Sequence, residues 1–180
     1  MKVAYFCAEF ALESDMPTYA GGLGVLAGDY IFESADSSFP ITGISLLYKR
    51  GQNGNFSNNQ PKKFGLNLVR ESLFKKLIIE VPIADRKVLA QVWQWRKNNV
   101  SVYFLDTDVK ENAPEDREIT RELYVENRDK RLEQEIILGL GGAILLEKLK
   151  INPDIYHLNE GHSAFLSLYL LGQELEAGNA

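Results

Sequence analysis

Apolar residues in this chain fall into short blocks and into one long stretch with helical spacing. Val3–Phe6 and Ile41–Tyr48, the second entered after Pro40, read as buried strands. Val25–Ser37 between them reads as a helix, so the chain opens as a βαβ unit with a parallel sheet and a right-handed crossover. Leu77–Ala84, Val88–Trp95 and Val100–Leu105 read as three further strands. Turn signals at Asp85-Arg86 and Asn98-Asn99 make them an antiparallel excursion. Leu132, Ile136, Leu140, Ala143 and Ile144 keep a helical period, which predicts an amphipathic helix from about Asp129 to Leu149. Gly139, Gly141 and Gly142 interrupt it at a cost of roughly 1 kcal/mol each, and close packing on the sheet is their simplest explanation. Asn152-Pro153 ends that helix, Ile155–Leu158 forms a strand, and Gly161 leads into a last helix ending near Gly178.

The polar stretches are as informative. Residues 51–65 form a turn-rich loop long enough to be functional or mobile. Residues 110–135 are dense in both signs of charge. Pro114-Glu115-Asp116 suits a first helical turn, and Glu118 with Arg121 suits an exposed helical face. The fold class is α/β with an antiparallel strand excursion, in one domain over residues 1–180.

Composition narrows the possible partners. The chain has 180 residues, net charge −5 and an apolar share of 45%, usual for a globular protein. That balance argues against nucleic acid or an anionic membrane as the main partner. The longest apolar run, Ile136–Leu146, is too short to span a bilayer. No signal-peptide pattern precedes Val3, and Cys7, the one cysteine, reads as a buried structural thiol. A cytoplasmic location follows as the default.

Two segments carry candidate chemistry. Tyr19 to Asp29 places Gly21, Gly22 and Gly24 at the start of the first helix. Backbone N–H groups at a helix start suit phosphate or another anion, although the spacing fits neither a dinucleotide fingerprint nor a P-loop. The same glycines equally suit close packing of helix on strand. His157-Leu158-Asn159-Glu160-Gly161-His162 lies where a strand meets a helix, at the carboxyl edge where open α/β sheets bind ligands. Glu160 and His162 are placed to reach a polar ligand; His162 also suits a helix cap, with Asn159 holding the turn. Gly161 breaks the H-x-x-E-H spacing, and no third ligand cluster supports a metal. Both turns join a parallel strand to the next helix, so both are expected on one edge of the sheet.

At these residues the chain resembles the bacterial and archaeal type of glycogen (α-glucan) phosphorylase. The matching segments are Ala4–Phe10, Tyr19–Asp29, Gly43–Arg50, Leu105–Thr120, Arg131–Glu135 and His157–Phe165, in family order. The resemblance implies the Rossmann-like, parallel-sheet N-terminal (acceptor-side) domain of a GT-B glycosyltransferase. It implies transfer of glucosyl units from an α-1,4-glucan or malto-oligosaccharide to phosphate, giving glucose 1-phosphate, with pyridoxal phosphate as cofactor. It also implies that Gly22, Leu23 and Gly24 offer N–H groups to phosphate and glucose, and that Glu160 and His162 sit beside the glucose pocket. By the same likeness Glu9 holds the glycine loop, and Asn127-Arg128 falls near a gating loop.

The chain departs from the family in three places. Its cofactor lysine and cationic phosphate ligands belong to a C-terminal domain absent from these residues. Gln52–Gln60 lacks the usual aromatic loop, and Phe10-Ala11-Leu12-Glu13 lacks the usual glycine. The chain alone is therefore expected neither to bind pyridoxal phosphate nor to turn over glucan. Two alternatives stay open: a sugar-nucleotide transferase of the glycogen-synthase kind, against which Ala20 stands where those enzymes carry lysine, and a non-catalytic glucan-binding module.

Overall fold

The computed structural model describes residues 1–51, 54–55 and 60–178. Strand β1 (Val3–Phe6), helix α1 (Gly22–Asp36) and strand β2 (Ile41–Leu46) form the βαβ unit that the apolar spacing predicts. Short pieces follow: β3 (Arg50–Gly51) paired with β4 (Gly54–Asn55), the turn α2 (Gln60–Lys63), and β5 (Asn67–Leu68). Next comes a hairpin of β6 (Arg70–Ser72) and β7 (Lys75–Lys76). The predicted loop over residues 51–65 thus holds small elements where it is described. Its residues 52, 53 and 56–59, most of the family departure at Gln52–Gln60, lie outside the described residues.

The three predicted strands are β8 (Ile78–Ile83), β9 (Arg86–Lys97) and β10 (Val100–Asp106). Their turns use Ala84 and Asn98 in left-handed conformation, with φ of 52° and 53°. Among the described residues seven strands share one sheet, in the order β11-β1-β2-β10-β9-β5 with β8 also paired to β9; β11 is Ile155–Leu158. β11, β1, β2 and β10 run parallel, whereas β9 is antiparallel to β10, β8 and β5.

Side chains alternate across the strands, and both faces of the central strands β1, β2 and β10 are covered, which is why they read as near-continuous apolar runs. On one face Tyr5, Cys7, Val102 and Phe104 pack with Ala27, Ile31 and Ala35 of α1. On the other, Ala4, Phe6, Ile44 and Leu105 pack with Ile137, Leu138, Leu145 and Leu146. Those residues belong to a continuous helix: α4 (Arg128–Ile136), a π-helical turn over Ile137–Gly141, and α5 (Gly142–Lys148). Leu166 of the last helix, α6 (Phe165–Glu176), joins the same cluster. No helix among the described residues is long and apolar enough to cross a membrane.

The glycines of the long helix are explained by proximity. A Cβ on Gly142 would lie 2.4 Å from Phe6 Cε1 and 2.7 Å from Ile44 Cγ2, and one on Gly139 would lie 2.7 Å from the Leu166 backbone nitrogen. The helix therefore packs directly onto β1, β2 and the start of α6.

The reading of residues 110–135 requires a correction. The helix that Pro114-Glu115-Asp116 begins is a single turn, α3 (Pro114–Arg117), and although Glu118 and Arg121 pair at the surface, Asp116, Ile119 and Thr120 are buried. Specific bonds hold the segment down. Arg86 Nε donates to Asp116 at 2.9 Å, the Thr107 amide donates to Thr120 Oγ1 at 3.0 Å, and Gln134 Nε2 donates to the Ile119 carbonyl at 2.7 Å. These tertiary bonds outcompete local helix propensity.

Replacing Gly142 with alanine should therefore destabilise the chain by about 1–3 kcal/mol through overpacking. Gly172→Ala on α6, where an added Cβ meets nothing within 4 Å, should stabilise by about 0.5–1 kcal/mol. Urea unfolding of both variants reads the two opposite shifts in midpoint.

Candidate functional site

Helix α1 starts three residues before the predicted Val25, so Gly22 and Gly24 lie in its first turn, after Gly21 as N-cap. Gly21 has no side chain with which to cap this end. Glu9, three residues after the end of β1, lies beneath it and is 1% exposed. Its Oε2 accepts from the amides of Ala20 at 2.7 Å and Gly21 at 3.2 Å. Carboxylate and helix start attract each other, since the first-turn amides carry partial positive charge. Gly24, expected with Gly22 and Leu23 as an amide donor, is buried. Its missing Cβ would lie 2.4 Å from Tyr19 Cβ and 2.8 Å from Glu9 Oε2, so its smallness admits the carboxylate. Gly22 is exposed and Leu23 half-buried, and first-turn amides such as theirs have no intrahelical acceptor.

The second turn is fastened to β1. The Asn159 amide donates to the Phe6 carbonyl at 2.9 Å, and Asn159 Nδ2 donates to Tyr5 Oη at 2.7 Å and approaches Cys7 Sγ at 3.4 Å. Glu160, exposed, holds φ at +63° and ψ at −175°, a region that side chains other than glycine rarely occupy. His162 follows in a short 3₁₀ turn, Gly161–Ser163. Arg131 Nη2 lies 3.4 Å from His162 Nε2. Arginine can only donate, so in this contact Nε2 is the accepting atom. His162 Nδ1 is buried without a hydrogen-bond partner among the described residues.

Tyr124 links the two turns. Its hydroxyl donates to Glu9 Oε1, its ring centroid lies 6.1 Å from that of His162, and Arg131 stands 5.9 Å over its face. Its φ is +60°, so both non-glycine residues with left-handed φ near the site, Tyr124 and Glu160, flank the same rim. Gln134 holds the preceding segment, donating to the carbonyls of Ile119 and Glu122 at 2.7 and 2.9 Å. Asn127 caps α4, accepting from the Lys130 amide at 2.9 Å, and Arg128 begins that helix. Tyr48, Tyr124, Arg131 and His162 line a cavity of about 20 Å³, room for one water. The glycine turn and the Glu160–His162 turn thus meet at one edge of the sheet, through Glu9 and Tyr124.

Electrostatics separates structural groups from chemical ones. Burial pushes the Cys7 thiol up to about 11, so it is protonated at neutral pH and is no nucleophile. Burial, followed by the bond to Glu9, pushes the Tyr124 hydroxyl well above its usual range. Among the described residues no three His, Cys, Asp or Glu side chains are grouped to hold a metal. Near this rim lie the first-turn amides of α1, the exposed Glu160, the His162 imidazole and the Arg131 guanidinium. Sequence reading attaches no role to Tyr124, Arg131 or Gln134. Arg131 and Gln134 lie within a segment that resembles the family; Tyr124 carries no local signal, because its partner is 115 positions away.

Glu9→Gln removes the charge that holds the glycine turn. Amide hydrogen exchange at Ala20 and Gly21 should accelerate about tenfold, the loss of a charge-assisted bond worth about 1.5 kcal/mol, with exchange in β10 unchanged.

No protein-family model matches the chain. Curated relatives do. It is 41% identical to the maltodextrin phosphorylase of Thermococcus litoralis over 98% of its own length and 22% of the relative's. It is 36% identical to the glycogen phosphorylase of Aquifex aeolicus, over 98% of its length and 27% of that protein. It is 33% identical to that of Mycobacterium tuberculosis, over 92% and 21%. The chain therefore spans about a quarter of the length of these relatives. Among solved structures, the catalytic domain of starch synthase IV from Arabidopsis thaliana, bound to ADP and acarbose, superposes with a TM-score of 0.63 at 18% identity, over 91% of this chain and 29% of that one. That likeness fixes the fold as the Rossmann-like α/β type of GT-B glycosyltransferases. With its fold and its rim in view, the chain is a relative, along nearly all of its length, of the N-terminal part of the glycogen and maltodextrin phosphorylases.

Proposed function

We propose that these residues form the acceptor-side domain of an α-1,4-glucan phosphorylase, and that the rim binds the glucosyl unit and the phosphate of glucose 1-phosphate. The observation that carries this reading is the joining of the two turns by Glu9 and Tyr124. In the reaction, the glycosidic C1–O bond of a terminal glucose breaks, a C1–O bond to hydrogen phosphate forms, and the proton of that phosphate ends on the glucan oxygen. Gly22 and Leu23 offer their amides to phosphate oxygens, while Gly24 shapes the turn. Glu160 and His162 hold glucose hydroxyls, the imidazole being fixed by Arg131 on one nitrogen and unpartnered on the other. Glu9 and Asn159 position these groups. Amides fixed in a helix start need no reorganisation as charge shifts toward the phosphate.

Pyridoxal phosphate, which the resemblance implies for the complete enzyme, does not fit these residues. The rim cavity, about 20 Å³, is too small for a pyridine ring, and no lysine among the described residues lines it. The cofactor and its lysine are assigned to residues outside this chain, and none of the roles above passes through it. The fold is shared with a starch synthase, so a nucleotide-sugar donor serves as the control ligand.

Titrating the isotope-labelled chain with glucose 1-phosphate should shift the amide resonances of Gly22, Leu23 and Glu160–His162. Shifts confined to an ADP-glucose titration would instead support a sugar-nucleotide transferase, and silence at the rim with both ligands would refute a sugar-phosphate site. Incubated with maltoheptaose, phosphate and pyridoxal phosphate, the chain alone should yield no glucose 1-phosphate and no cofactor absorbance.

A further inference from the structure

Helix α6 is apolar on two opposite sides. Leu166, Tyr169 and Leu170 pack against the cluster on the α4–α5 side of the sheet. At about 100° per residue, Leu168, Leu171 and Leu175 form a second stripe half a turn away, and they are 63%, 55% and 56% exposed. A helix that is apolar all round is normally enclosed, so this stripe is a surface without its cover. Glu174 and Glu176 flank it, one on each side, and α6 contains no basic residue. The C-terminal end of the helix adds the negative pole of its dipole at the same place. Positions i, i+3 and i+7 are those by which a helix anchors in a groove.

A groove of opposite character lies at the other end of the sheet. β11, the strand before α6, is one edge; the groove, of about 960 Å³, lies on β9 and β5 at the other. Leu68, Leu89, Trp93 and Phe74 give it apolar walls, the last 91% exposed at the tip of the β6–β7 hairpin. Its charged lining is Lys49, Lys62, Lys75, Lys76, Lys110 and Arg117 against three carboxylates. That excess is local, because the whole chain has 20 Lys and Arg against 25 Asp and Glu. Two of the carboxylates are already neutralised at the floor. Asp106 lies 3.8 Å from Lys49 and accepts from Trp93 Nε1 and Gln91 Nε2. Asp108 takes Lys49 and Arg117, the latter at 2.5 Å. Lys76 Nζ donates to Gln91 Oε1 at 3.2 Å, and no carboxylate among the described residues pairs with it or with Lys62.

We propose that this groove receives α6 of a second copy of the chain, so that copies associate head to tail. The two surfaces match in kind: a leucine stripe bordered by glutamates meets apolar walls bordered by lysines. Other occupants match only half of this. A small anion in the groove would leave the leucines in water. Two α6 stripes packed on each other would leave their glutamates without a cation. A helix lying on an anionic membrane needs basic residues on its polar side, and α6 has none. The two surfaces sit at opposite ends of one sheet, so each added copy leaves one of each kind open.

Sedimentation velocity tests the assembly directly. The average mass of the chain should rise with its concentration, and added salt should lower it by screening the flanking charges. Leu171→Glu on α6, and separately Lys62→Glu with Lys76→Glu in the groove, should each weaken association more than about tenfold. The decisive sample is a mixture of these two variants. Each keeps the surface that the other lacks, so together they should form a one-to-one dimer and nothing larger. The amide spectrum of each variant reports whether its fold is intact, and Leu175→Ser repeats the α6 arm should Leu171→Glu disturb it. A chain that stays monomeric at every concentration overturns the proposal, and so does a mixture of folded variants that stays monomeric. Self-association that the groove substitutions leave untouched would mean that α6 pairs with α6, and overturns it as well.

Discussion

One buried carboxylate organises this molecule. Glu9 is almost fully enclosed, and a charge taken from water costs several kcal/mol unless donors replace its hydration. The donors it finds are the Ala20 and Gly21 amides and the Tyr124 hydroxyl. They come from segments at opposite ends of the fold's connectivity, one following β1 and one preceding α4. Satisfying a single charge therefore welds the glycine turn to the segment that carries Tyr124 and fixes where the helix start points. The absence of a side chain at Gly24 and the left-handed backbone at Tyr124 follow from the same need.

Around that weld the parallel sheet supplies orientation. β1 and β11 end side by side, Phe6 opposite Leu158, so the loops that leave them emerge together. One delivers amide dipoles and the other an acid and an imidazole. Asn159, tied to Tyr5 Oη and to the Phe6 carbonyl, stops the second loop from swinging away from the first. The strain at Glu160 is the local cost of turning that loop toward the rim. The result is an open rim on which both turns are held in place by their bonds to β1 and to Glu9.

Much of this was legible in the order of residues. Buried parallel strands announce themselves as unbroken apolar runs such as Val3–Phe6, and the β8–β9–β10 meander as runs separated by Asn or Asp turns. The glycines at 139, 141 and 142 signal close approach because nothing else justifies them inside a helix. The segment at 114–127 misleads because its charge pattern satisfies helical spacing, while its fate is decided by Arg86, Thr107 and Gln134, far away in sequence. Tyr124 and Arg131 escape notice for the same reason. Local pattern reports which face of an element is apolar; it is silent on which distant polar group will need a partner.

The π-helical turn at Ile137–Gly141 has a consequence for how this chain tolerates change. A π turn accommodates one residue more than a regular helix, and each residue advances the helical azimuth by about 100°. The extra residue lets Arg131 and Gln134 look toward the rim while Gly142 lies flat against Phe6 and Ile44. Deleting a single residue here would give a helix with better backbone geometry, yet its two halves would be out of phase. If the sheet contact kept its seat, the guanidinium and the carboxamide would be carried around the barrel of the helix, away from His162 and the Ile119 carbonyl. In this helix, irregularity is what allows one rod to serve two surfaces.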